Sequence, residues 1–207
     1  MTLIRPVRTS LGAVVLAAVA ASALVAQTPA PQPQPQTQSA MAAAPVAPPA
    51  PAVGDWAPDF TAPYADANGP GAAPLALSSL RGKVVVLAFY PKDRTSGCTA
   101  EMTKFRDENT SLFGSDVVVL PISLDDIDSH VGWVKDMHFP FALVSDAGGQ
   151  IAQSYGSIVP GRSYANRTVF VIGKDGRIRY EELHFGALDQ HAYDALAAAI
   201  RDARSGS

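Results

Sequence analysis

Cys98 is the sole cysteine of the chain and closes the run Pro91-Lys92-Asp93-Arg94-Thr95-Ser96-Gly97-Cys98. A threonine stands three residues before it and a glutamate, Glu101, three residues after. A thiol in such company can be a nucleophile, but only as the thiolate, so a reactive cysteine needs surroundings that favour negative charge. Thr95 occupies the place where a second cysteine would close a local disulfide. It can instead hydrogen-bond to the sulfur or to an oxygen of an arriving substrate. Pro91 has no backbone donor and stiffens the segment, which suits a small, shielded pocket. Glu101 lies one helical turn beyond Cys98 and shares its face. A bare carboxylate there would disfavour the thiolate, so Glu101 either pairs with an arginine or is an ordinary exposed helix residue.

These side chains need a strand that ends at Pro91 and a helix that starts before Cys98. Residues 84–90 form a continuous apolar run of strand length, as expected for a strand buried on both faces. The spacing predicts a helix from Gly97 to about Phe113, with Met102, Phe105 and Leu112 facing a core. Sulfur at its N-terminus would meet unpaired N–H groups and the positive end of the helix dipole, both of which favour a thiolate. Residues 117–123 read as a second buried strand. Asp125, Asp126 and Asp128 then open a helix through Val131, Trp133, Val134 and Met137, where Trp133 reads as core; the aspartates lack calcium-loop spacing and are assigned to capping. Residues 141–144 read as a short strand and 147–155 as a short helix or turn. Residues 167–172 and 177–183 read as strands joined at Asp175-Gly176, a hairpin signal, and 187–204 as a closing helix. Residues 57–60 and 75–83 suggest an added N-terminal hairpin. The element order predicts an α/β, thioredoxin-like fold: a central mixed sheet with flanking helices.

The 207 residues divide by composition. Residues 1–26 carry Arg5 and Arg8, then an apolar core and small residues, the pattern of a secretory signal peptide. The apolar run is short against the roughly 18 residues or more that span a bilayer, so an uncleaved membrane anchor is the alternative. Residues 27–52 are rich in Pro, Gln and Ala and read as a disordered or semi-rigid linker. Residues 53–207 form the globular domain. The expected location is outside the cytoplasm, in the periplasm, with membrane association only if the leader is retained. A net charge of −3, lower still once Arg5 and Arg8 are removed, gives no electrostatic footprint for nucleic acid. The four histidines, His130, His138, His184 and His191, lack metal-ligand spacing, so no metal and no cofactor is expected. Exported cysteines normally pair. One cysteine cannot pair within the chain, so it is either buried and inert or kept for chemistry.

The segment Phe89-Tyr90-Pro91-Lys92-Asp93-Arg94-Thr95-Ser96-Gly97-Cys98-Thr99-Ala100-Glu101 resembles the active-site segment of peroxiredoxins, thiol peroxidases of the thioredoxin fold. It is most similar to the Q-type (bacterioferritin-comigratory) subgroup, and the resemblance covers roughly residues 53–203, including Ala57-Pro58-Asp59-Phe60 and Gly82-Lys83. It implies that Cys98 is the peroxidatic nucleophile, that Thr95 orients the peroxide, that Pro91 shields the intermediate, and that an arginine from a distant strand stabilises the thiolate. Arg167 is the choice, because a strand antiparallel to residues 84–90 starts at the end of the sheet where the catalytic loop leaves. Arg177 and Arg179 follow the hairpin at the opposite end, and Arg162, in the loop before, is the runner-up. Ser96 departs from the proline common at its position. Thr103 stands where many Q-type members carry a resolving cysteine, so the resemblance implies a one-cysteine cycle restored by an external thiol, either a thioredoxin-like protein or a small thiol. Substrates would be hydrogen peroxide or organic hydroperoxides. The competing readings are a non-catalytic thioredoxin-fold binding or chaperone module and a thiol transferase.

Overall fold

Val84–Phe89, the first long strand, is buried along its whole length, and its alternate side chains enter two different cores. Val84, Val86 and Ala88 face one layer of helices; Val85, Leu87 and Phe89 face the other side. That two-sided burial is why the segment reads as unbroken apolar sequence instead of alternating. The computed structural model describes residues 49–158 and 161–206. The expected leader and nearly all of the expected linker lie outside the described residues.

In chain order the strands are β1 (Thr61–Ala62), β2 (Tyr64–Asp66), β3 (Gly69–Pro70), β4 (Leu75–Ala76), β5 (Val84–Phe89), β6 (Val117–Ser123), β7 (Leu143–Ser145), β8 (Thr168–Ile172) and β9 (Ile178–Glu182). The helices are α1 (Ser96–Asp107), α2 (Ile127–Met137), α3 (Gln150–Ser154) and α4 (Gln190–Ser205). One sheet runs β3-β2-β7-β6-β5-β8-β9, and β1 pairs with β4 in a separate two-stranded sheet. β5, β6 and β7 are parallel, which requires the crossovers that α1 and α2 supply. β8 lies antiparallel to β5 with Thr168 opposite Phe89, so the end of β5 and the start of β8 meet at one end of the sheet. One core holds Met102 and Phe105 of α1, Trp133 and Val134 of α2, and Tyr193, Leu196 and Ile200 of α4. The other holds Ile151 and Ala152 of α3 with the N-terminal strands' Ala62. The mixed sheet with helices on both faces is the expected α/β class.

Several elements depart from expectation. The N-terminal pairing falls at Thr61–Ala62 with Leu75–Ala76, not at residues 57–60. β2 and β3 make a second hairpin, which joins the main sheet beside β7, turns at Ala67–Asn68 and enters β3 at Gly69 with φ +110. Pro58 and Pro63 break the segment into pieces too short to show periodicity. α1 ends at Asp107 and continues as a π-type turn over Asn109–Phe113 that still buries Leu112 and Phe113, until Gly114 stops it at φ +66. Among the aspartates, Asp126 caps α2 by accepting from Ser129 N at 2.8 Å. Asp125 does not cap; it accepts from Ser123 Oγ and from the backbone of Asp93.

Candidate active site

The site grows from the end of β5. Tyr90 N still donates to Ile122 O at 3.0 Å, and Pro91 then ends the pairing because it has no donor to offer. The loop over residues 91–95 turns back at Arg94, which holds φ 59, a left-handed conformation unusual for a residue with a side chain. Arg94 is tied down from both terminal nitrogens, Nη1 donating to Ser129 O at 3.1 Å and Nη2 to Asp136 Oδ2 at 2.9 Å. A Cβ on Gly132 would lie 2.9 Å from Arg94 Nη2, so the glycine in α2 leaves the space that this arginine fills.

Thr95 is the residue before α1, in extended conformation, but its side chain does not cap the helix. Its Oγ1 donates to Lys92 O at 3.0 Å. That spends the only proton of the hydroxyl on the loop and leaves its lone pairs free to accept one from a bound molecule. Cys98 follows in the first turn of α1, with 1% of its surface exposed. Arg167, the residue before β8, reaches across the end of the sheet to place Nη2 at 3.3 Å from Cys98 Sγ, and its Nη1 donates to Glu101 Oε2. Its backbone is held by Phe185 N, which donates to Arg167 O at 3.0 Å. A Cβ on Gly97 would already touch Arg167 Nη2 at 3.4 Å, so a larger side chain there would displace the guanidinium.

The electrostatics of this trio follow from burial. Glu101 is fully buried, and burial pushes its carboxyl up to about 7 while Arg167 opposes the rise by charge and hydrogen bond. Its Oε1 has no hydrogen-bond partner among the described residues. Burial acts against the charge on Arg167, and Glu101 and Cys98 together outweigh it, so the guanidinium stays charged. The arrangement presents a sulfur, a fixed cation and a hydroxyl acceptor around one end of a helix. It suits attack on a substrate whose leaving atom gains negative charge.

The structure brings Cys98, Glu101 and Arg167 together and puts Thr95 and Pro91 in the adjoining loop. Glu101 is thereby a buried ion-pair partner and not an exposed helix residue. Arg162 is exposed; it donates to the Tyr164 hydroxyl and lies 5.3 Å from that ring. Pro91, half-buried, lines a cleft of about 260 Å³ with Lys92, Leu124, Ala147 and Ser163. Of the histidines, three are exposed and His130 is fully buried and hydrogen-bonded. Among the described residues no three His, Cys, Asp or Glu side chains gather as metal ligands, and no helix is long and apolar enough to cross a membrane.

Sequence reasoning missed Asp93 and His130. Asp93 is 6% exposed, with Oδ1 accepting from Tyr90 OH at 2.8 Å and Oδ2 accepting from Ser129 Oγ at 2.7 Å and facing His130 Nδ1 at 2.9 Å. The aspartate was visible in the segment from Pro91 to Cys98. Nothing local ties it to a histidine 37 residues on.

A family model described as AhpC/TSA family matches residues 53–181. A protein of Coxiella burnetii named as a Bcp peroxiredoxin is 39% identical over 132 residues, 61% of this chain and 84% of its own. Chloroplastic peroxiredoxin Q of Triticum aestivum is 37% identical over 109 residues, 51% of this chain and about half, 49%, of its own length. Among solved structures, that of peroxidoxin BcpB from Mycobacterium tuberculosis is 31% identical with a TM-score of 0.64, covering 74% of this chain and 99% of that one.

Proposed function

The chain belongs to the AhpC/TSA family of peroxiredoxins and is a thiol-dependent peroxidase; we propose that its cycle runs through Cys98 alone and is closed by a thiol from another molecule. The observation that carries this reading is the Arg167 guanidinium shared between Cys98 Sγ at 3.3 Å and the buried Glu101. Glu101 fixes the guanidinium on one side, so its other nitrogen stays on the sulfur and keeps a positive charge beside it.

The thiolate of Cys98 attacks the terminal oxygen of a hydroperoxide. The S–O bond forms, the O–O bond breaks, and the departing oxyanion takes a proton to leave as water or an alcohol. Thr95 Oγ1 accepts from the peroxide O–H and thereby aligns it. Arg167 faces the charge that moves from sulfur to the leaving oxygen. Pro91 walls the loop side. The sulfenic acid of Cys98 then condenses with an external thiol, releasing water and forming a mixed disulfide, which a second thiol reduces. No second cysteine exists to take that step within the chain. The reductant is a small thiol or a thioredoxin-like protein, and the substrate hydrogen peroxide or an organic hydroperoxide.

The leader-like residues 1–26 and the Pro/Gln/Ala-rich residues 27–52 support export to the periplasm, with the domain on a tether. Fractionation of cells expressing the full chain, with N-terminal sequencing of the exported form, tests that reading; a cytoplasmic, uncleaved product contradicts it. The activity is tested by following hydroperoxide consumption with a thiol reductant. Consumption abolished by Cys98→Ser is expected, and equal consumption by that variant would overturn the assignment.

A further inference from the structure

His130 sits in the wall behind the catalytic loop with both ring nitrogens turned toward oxygen. Nδ1 lies 2.9 Å from Asp93 Oδ2, and Nε2 lies 3.2 Å from Val144 O in β7. The carbonyl of Val144 can only accept, so Nε2 carries a proton. A neutral ring would then turn the Nδ1 lone pair toward an Asp93 oxygen that already accepts from Ser129 Oγ, and Oδ1 accepts from Tyr90 OH. With Asp93 ionised, only the imidazolium, donating from Nε2 to the Val144 carbonyl and from Nδ1 to the Asp93 carboxylate, satisfies every group. The ring is fully buried, beside Tyr90 with Trp133 next to it, so such a charge persists only because it is paired and fully hydrogen-bonded. For Asp93, burial alone would raise the carboxyl, and the bonds from His130, Ser129 and Tyr90 outweigh it and hold it below its ordinary value.

The anchored residue lies inside the peroxide loop. Asp93 N donates to Asp125 Oδ2 at 2.8 Å, so Asp93 is held through its backbone as well as through its carboxylate. On one side of it is Lys92, whose carbonyl receives the Thr95 hydroxyl; two residues on the other side is Thr95 itself. A shift of Asp93 would therefore move the carbonyl that orients the hydroxyl and the hydroxyl that receives the peroxide. Cys98 would keep its charge partner, because Arg167 directly precedes β8 and is held by Glu101 and Phe185.

We propose that Asp93 and His130 are positioning residues for the peroxide site, a buried carboxylate–imidazolium pair that holds Thr95 in register with the peroxide without setting the nucleophilicity of Cys98. The proposal rests on the peroxidase reading for its kinetic arm only. The charge state is read on the wild-type protein, by nitrogen NMR of the imidazole ring near neutral pH. Two protonated ring nitrogens on His130 are expected, and a ring carrying one proton would overturn the ion pair. The positioning role is read in Asp93→Asn and His130→Gln by comparing two rates at Cys98, oxidation by hydrogen peroxide and alkylation by iodoacetamide. Misplacement on the ångström scale costs up to about 100-fold in rate. Oxidation is therefore expected to slow by roughly tenfold to 100-fold while alkylation stays within about twofold of wild type. Equal slowing of both reactions, or of neither, would overturn the proposal. Should His130→Gln fail to fold, the near-isosteric Asp93→Asn carries the same comparison. A wild-type Cys98 slow toward peroxide would count against the peroxidase reading and leave the ring measurement standing.

Discussion

Replacing Glu101 with Gln removes a carboxyl whose burial dominates its chemistry, and the size of the effect follows from the structure. The carboxyl stands at about 7 in the folded chain against 4.5 unfolded, with burial raising it and Arg167 pulling it down. Between those values the folded chain holds a proton that the unfolded chain has lost. Stability therefore falls as pH rises through that window and levels off above about 7, by about 3 kcal/mol in all for a shift of this size. Gln keeps the shape and a donor–acceptor amide but cannot titrate. Chemical unfolding of both proteins from about pH 4 to about pH 8 gives the assay. The wild-type stability relative to Glu101→Gln should fall by about 3 kcal/mol across the range, with other titrating groups such as Asp93 and Asp146 cancelling between the two proteins. A relative stability that stays flat or rises with pH would refute the reasoning. It would mean that the Arg167 pair outweighs burial and keeps Glu101 an ordinary carboxylate.

Arg167→Ala should slow oxidation of Cys98 by peroxide by about 100-fold to 1,000-fold, the range for losing one preorganised donor to a developing charge. Arg167→Lys should recover only part of that, because an ammonium cannot address Cys98 and Glu101 as a planar fork does; stopped-flow rates equal to wild type in either variant would move the cation elsewhere. Thr95→Val keeps the shape and loses the acceptor, so peroxide oxidation should fall roughly tenfold to 100-fold, as for a lost hydrogen bond to a reacting group, with the fold unchanged by circular dichroism. After one equivalent of peroxide, added low-molecular-weight thiol should appear by mass as a mixed disulfide on Cys98 before reduced protein returns, and recovery of the thiol with no external reductant would contradict the one-cysteine cycle.

Where the residues themselves carry the information, the fold was legible. β5 and β6 show as runs of apolar residues because both faces are buried, and the β8–β9 hairpin shows because Asp175-Gly176 allows the φ of +88 that the turn needs. Arg167 was legible through topology: an antiparallel neighbour of β5 has to begin where β5 ends. The N-terminal strands were not, because two or three residues between prolines show no period. Glu101 was half legible. Its spacing from Cys98 gave the shared face, but whether an arginine met it depended on β8, 66 residues later. Asp93 and His130 were illegible as a pair for the same reason. A buried ion pair is made by tertiary packing, and neither partner carries a local sign of the other.

The most direct test of Cys98 as a peroxidatic nucleophile held by Arg167 is rapid mixing of the reduced protein with one equivalent of hydrogen peroxide, quenched over time into a sulfenic-acid trap and read by mass. Trapped adduct should form on Cys98 at a rate orders of magnitude above that of a free cysteine thiolate. It should be absent in Cys98→Ser and strongly delayed in Arg167→Ala. Oxidation of wild-type Cys98 no faster than a free thiolate would contradict the account.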